Sequence, residues 1–133
     1  MDVKSREEII KFAQKLNSTN LSPLRSGNIS LKAQNNNEEG FLITPSGKKY
    51  DSLKADDIVF VSLEGRYDEK GLQPSSEWRF HKDIYLKKAD AKAVVHAHSP
   101  HATAVSAHNK DIPAFHYMIA LAGGDNIKLS LIH

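Results

Sequence analysis

Four of the chain's seven histidines fall between His96 and His108, and two of them, His96 and His98, stand two apart at the end of the apolar run "AVVHAH". If that run is a strand, the alternation of side chains puts both imidazoles on one face. A rigid element would then present two nitrogen donors to one ion. The 133 residues contain no cysteine, so a transition-metal site here has to be built from His, Asp, Glu and water. A hydrogen-bonded strand end can show the same pattern, so both readings stay open at this point. His101 lies past Pro100 in the next element and reads as exposed or capping. His81, His108 and His116 read first as ordinary structural or surface histidines.

Three small-residue turns could hold an anion. In "PSSE" (74–77), Ser75 and Ser76 offer hydroxyls beside the unpaired N–H groups of a helix start, an arrangement that suits phosphate. "SGN" (26–28) and "TPSG" (44–47) are turns whose backbone can approach an anion closely. Each of the three, taken alone, is more often a plain cap or turn. Together with a histidine pair, and with the Glu77 carboxylate adjoining the serines, they describe an anion pocket beside a divalent metal. Such a site suits a phosphorylated substrate whose oxygens meet the metal.

The elements that must position these residues can be read from periodicity. Ile9, Ile10, Phe12, Ala13 and Leu16 recur at helical spacing and predict a helix over 5–17, with Ser5 as N-cap and Glu8 completing a capping box. "NISLKA", "QNNNEEG" and "FLIT" predict two antiparallel strands around a polar turn. "IVFVSLEGRYD" predicts a strand pair bent at Glu64–Gly65. A second helix is predicted after Pro74, capped by Ser75 or Ser76, with Phe80, Ile84 and Leu86 as its apolar contacts. "AKAVVHAH" predicts a buried strand, and Ser99 caps a third helix that has Pro100 at its first position. "DIPAFHY" predicts one more short strand and "ALAGGDN" a turn. Helices and strands mix without a strict alternating rhythm, so a sheet with antiparallel parts and helices packed on it is expected.

Composition narrows the function classes. Hydrophobic residues at 40% and charged residues at 26% are enough for a packed core and exclude a disordered chain. A net charge of +2 with interspersed signs leaves no nucleic-acid or membrane footprint. The N-terminal stretch is charged and lacks the apolar core of a signal peptide, and no run is long enough to span a bilayer, so a cytoplasmic protein is expected.

The order of "SGNIS", "ITPSGKKYD", "PSSEWRFH", "VVHAHSPHATAVS" and "IPAFHYMIALAGGDNI" resembles the class II aldolase/adducin family over essentially the whole chain. The resemblance implies an α/β fold of three layers, α/β/α, around a mixed, mostly antiparallel sheet, with residues 1–133 as one domain of this type. It implies a cyclic homotetramer with sites between subunits, and zinc-dependent cleavage of a ketose 1-phosphate, such as L-fuculose 1-phosphate, to dihydroxyacetone phosphate and an aldehyde. Matched position by position, His96 and His98 are zinc ligands, and Glu77 is the catalytic acid/base that can also approach the metal. Gly27, Asn28, Ser46, Gly47, Ser75 and Ser76 form the phosphate pocket. Tyr117 reaches a neighbouring subunit's site and bonds the aldehyde oxygen. Asp follows the paired serines in the related ribulose-phosphate epimerases, so Glu77 favours an aldolase. The family's third zinc histidine lies on a strand downstream of the pair, and His133, which follows "LSLI", does not match its motif. The expectation is therefore a C-terminally incomplete version of the fold: a truncated gene product, a deliberately shortened chain, or one half of a split protein that a complementing C-terminal polypeptide completes. Its alternative is an inactive remnant or non-catalytic interaction module of the same family.

Overall fold

The structure is a computed structural model that describes residues 3–23 and 26–130. The chain forms two compact units, Met1–Ala97 and His98–His133. His133 lies outside the described residues.

The first unit is built on a four-stranded sheet of β1 (Asn28–Asn35), β2 (Glu38–Ile43), β3 (Val59–Ser62) and β4 (Ala93–His96). Their order in space is β3-β2-β1-β4, and all three pairings are antiparallel. Alternation along the strands sorts the core into two faces. Ile29 and Leu42 meet Ile9, Ala13 and Leu16 of helix α1 (Val3–Ser18) on one side. Phe41, Ile43, Val61 and Val94 meet Trp78 and Tyr85 of helix α2 (Trp78–Lys87) on the other. Helix, sheet and helix make the three layers expected, and the mostly antiparallel sheet is borne out. Burying a side chain such as Ile9 or Leu16 contributes about 2 kcal/mol.

Several local expectations are corrected. Helix α1 starts at Val3, so Ser5 lies inside it and is not its cap. Its buried face includes Arg6, whose guanidinium donates to the carbonyls of Ala55 at 2.8 Å and Ile58 at 2.5 Å. The β1–β2 turn is only Asn36 and Asn37, both at positive φ, as a two-residue hairpin loop requires. The polar residues on either side of it, Asn35 and Glu38, are already paired as strand. A single strand, β3, forms where a bent pair was expected. After it Gly65 turns at φ 89° and the chain returns through the bond from Ser62 N–H to Arg66 C=O.

Helix α2 starts at Trp78, later than predicted, with Glu77 at the N-cap position and no side-chain cap. The preceding residues are held in extended pairing with residues 44–46, so their backbone cannot enter the helix. Trp78, His81 and Tyr85 fill its buried face at i, i+3 and i+7, with Phe80 and Ile84 on the shoulders. Leu86 is rotated off that face and is 56% exposed, contrary to expectation. Strand β4 ends at His96 and lies at the end of the strand order. Val94 is therefore buried but Val95 is 58% exposed, and β4 is an edge strand instead of a buried one.

In the second unit, helix α3 (Pro100–Ala107) has Pro100 in its first turn, as predicted. Ser99 occupies the N-cap position, but its side chain makes no capping hydrogen bond. "DIPAFHY" contributes one bridge, Ile112 to Ile127, in place of a strand. Tyr117–Ala122 form a 3-10 turn, closed by Gly123 in the left-handed region.

Candidate active site

The three small-residue turns, far apart in sequence, are brought together by hydrogen bonds within and just beyond them. Ser46 N–H donates to Gln73 C=O at 2.9 Å and Ser75 N–H to Thr44 C=O at 3.0 Å, joining "TPSG" to "PSSE". Thr44 N–H donates to Ile29 C=O at 3.1 Å, just past "SGN", and the hydroxyl of Tyr50, which follows "TPSG", donates to Gly27 C=O at 2.6 Å. Ser75 is buried, whereas Ser46, Gly47 and Ser76 are exposed. Gly47 has φ 73°, and a Cβ built there meets nothing within 4 Å, so open space lies over this turn. Gly27 has φ 79°, and its Cβ would stand 2.4 Å from His96 C=O and 2.5 Å from Ser22 Oγ. Only glycine lets the start of β1 approach the end of β4 this closely.

Next to this lacework stands the Glu77 carboxylate. Its Oε2 accepts from His96 Nδ1 at 2.7 Å and from the Asn28 side-chain amide. The pair is largely buried, with side-chain exposures of 12% for His96 and 18% for Glu77. His98 follows His96 by two residues, and with Glu77 these imidazoles are the candidate metal donors of the described residues. Two imidazoles and a carboxylate are a donor set that suits zinc, and an imidazole whose Nδ1–H is held by a carboxylate keeps its other nitrogen as a ligand.

Behind Asn28 runs a line of polar groups absent from the sequence prediction. Asn28 Oδ1 lies 2.5 Å from His81 Nε2, His81 Nδ1 lies 2.7 Å from Ser30 Oγ, and Ser30 Oγ lies 2.8 Å from the Tyr85 hydroxyl. Burial, with the positive potential of His96 adding to it, pulls the His81 imidazole down to about 3. Burial pushes the Tyr85 phenol up to about 12, and it raises the Tyr50 phenol above its usual range. The Asn28 side chain is thus buried and engaged by Glu77 and His81.

The structure therefore brings the three turns together and sets Glu77 against His96 and Asn28. Tyr117 stands on the second unit, 80% exposed, with its ring against His116. Sequence reasoning missed His81, Ser30, Tyr85 and Tyr50. The available signal was the four-residue spacing of His81 and Tyr85, polar groups on the same helix face as Trp78.

Residues 7–130 match the family model for the class II aldolase and adducin N-terminal domain. The chain belongs to this family. It is 45% identical over 124 residues to an L-fuculose phosphate aldolase of Escherichia coli (strain K12), covering 93% of this chain and 55% of that protein. It is 42% identical over 124 residues to a 5-methylthioribulose-1-phosphate/5-deoxyribulose-1-phosphate aldolase of Rhodospirillum rubrum, covering 93% and 54%. A solved L-fuculose 1-phosphate aldolase superposes with a TM-score of 0.85 at 34% identity, over 96% of this chain and 59% of that one. The chain thus spans about half the length of the curated relatives it matches. Both the class II aldolase resemblance and the fold expected from it are borne out. Among the described residues no helix is long and apolar enough to cross a membrane.

Proposed function

We propose that this chain carries the phosphate- and metal-binding part of an aldolase acting on a ketose 1-phosphate, L-fuculose 1-phosphate being the substrate of first choice. The observation that carries the reading is the joining of three small-residue turns beside the Glu77–His96 pair. Gly27, Ser46, Gly47, Ser75 and Ser76 are the groups for the phosphate, which neutral hydroxyls and N–H donors can hold in register, and Asn28 lies beside them with its side chain held by Glu77 and His81. Glu77, His96 and His98 are the ligands for zinc. Bound zinc would supply Lewis-acid stabilisation of the negative charge that develops on substrate oxygens as the carbon–carbon bond breaks.

The chain's own residues supply the rest. Glu77, largely removed from water and set against His96, is the group assigned to move a proton at the reacting carbon. Held by Asn28 and His96, its carboxylate has one preferred position, which favours proton transfer over a fixed path. Tyr117, presented at the surface of its own chain, is the hydrogen-bond donor for the aldehyde oxygen in a neighbouring copy of a homotetramer. Relatives that are L-fuculose phosphate and 5-methylthioribulose-1-phosphate/5-deoxyribulose-1-phosphate aldolases support a phosphorylated ketose as the substrate class.

The test is release of dihydroxyacetone phosphate by the purified chain with zinc present. L-fuculose 1-phosphate and 5-deoxyribulose 1-phosphate are supplied in parallel. Release from either supports the reading, and the faster substrate fixes the specificity. No release from either by a folded, zinc-loaded chain overturns catalysis by this chain and leaves the non-catalytic family member as its description.

A further inference from the structure

The line of buried polar groups behind Asn28 has a direction. A carboxylate only accepts, so the Asn28 amide turns its NH2 toward Glu77 and its Oδ1 toward His81. His81 Nε2 must then carry the proton it donates to Oδ1, which leaves Nδ1 with the lone pair. Ser30 donates its hydroxyl to that lone pair and accepts in turn from Tyr85. Each link fixes the next: Tyr85 to Ser30, Ser30 to His81, His81 to Asn28, Asn28 to Glu77. Reversing any link sets lone pair against lone pair in a place without solvent, since Asn28 is 3%, Ser30 0%, His81 0% and Tyr85 2% exposed.

A core position that had only to be filled would be better filled by an apolar ring, because buried polar groups are unfavourable unless every one is satisfied. Here every one is satisfied, and the line ends on the carboxylate of the candidate site. We infer that His81 is a positioning residue. Through its Nε2–H it holds the Asn28 amide in the one orientation that presents NH2 to Glu77, and so sets Glu77 against His96. The depressed basicity of His81 agrees with this, since a charged imidazole would donate from both nitrogens and break the order at Ser30. The inference deepens the reading of Glu77, His96 and His98 as zinc ligands and rests on it only where zinc is measured.

Two measurements on the full chain test it. The first needs no variant: long-range proton–nitrogen NMR of the 15N-labelled chain gives the tautomer of His81. The expected result is one neutral form, protonated at Nε2, across pH 6 to 8. A form protonated at Nδ1, a mixture of the two, or a charged ring overturns the inference. The second is calorimetric titration with zinc alone of the parent, His81→Phe and His81→Gln. His81→Phe keeps the bulk and loses the donor, and should weaken zinc binding by about 10- to 100-fold. His81→Gln restores a donor near the Nε2 position and should recover most of the affinity. Unchanged affinity in His81→Phe overturns the positioning role while the metal reading stands. A parent that binds no zinc overturns the metal reading, and the tautomer then decides the positioning role by itself, as it does if His81→Phe fails to fold.

Discussion

Acidification should destabilise this fold through one residue. The imidazole of His81 is fully buried and its basicity is lowered from 6.5 to about 3, so between those values the unfolded chain binds a proton that the folded chain refuses. Unfolding therefore takes up a proton in that window, and stability rises with pH. The contribution is complete above about pH 6.5 and is lost progressively on the way down to about pH 3. At pH 5 the loss from this one group is about 2 kcal/mol, a sizeable part of the 5–15 kcal/mol typical of a domain. Asp57 and Asp111 do not obscure it. Lys48 holds the first carboxyl low and Lys128 the second, so both stay ionised at pH 5. Urea unfolding of the parent and of His81→Gln at pH 8, 7, 6 and 5 measures the effect. Glutamine does not titrate, so the gap between parent and variant should narrow by about 2 kcal/mol over that range. Parallel profiles for the two proteins would refute the reasoning.

Three further outcomes follow from the site. Gly27→Ala forces a Cβ into His96 C=O and Ser22 Oγ at positive φ and should destabilise by on the order of 3 kcal/mol in urea unfolding, whereas Gly47→Ala, at similar φ but in open space, should lose only about 1 kcal/mol. Glu77→Gln keeps the shape of the side chain and removes the proton carrier, so dihydroxyacetone phosphate release should fall by about 100-fold or more with the fold intact by circular dichroism. Ser76→Asp places a carboxylate at the proposed phosphate pocket and should raise KM for the ketose phosphate by at least about 10-fold, read from initial rates at several substrate concentrations.

The parts of the fold that were legible in the sequence are those set by local pattern. The "NISLKA" and "FLIT" alternation gives the hairpin, and the Asn36–Asn37 turn gives its loop. Pro100 marks the start of α3, and the Ile9, Ala13 and Leu16 spacing marks the buried face of α1. What was missed depends on contacts between distant segments. The start of α2 is displaced to Trp78 because residues 74 and 75 are pulled into pairing with residues 44 and 45, nothing in "PSSE" itself showing that pull. Val95 is exposed because β4 stands at the end of the strand order, a property of the sheet and not of "AVVH". The same holds at the site. His96 and Glu77 were readable from the motifs that contain them, but His81 meets Ser30 from 51 residues away and Tyr85 meets it from 55. Asn28 and Ser30 share one face of β1, and His81 and Tyr85 share one face of α2. Each pair is visible in its own segment, but their meeting appears only once α2 lies on the sheet.

The central claim is that Glu77, His96 and His98 form a metal site beside the laced turns. Calorimetric titration of the purified chain with zinc tests it most directly, beside a variant in which His96→Ala and His98→Ala are combined. The account predicts near-stoichiometric binding by the parent that disappears in the double variant. Weak binding, or binding of equal strength in both proteins, would contradict it.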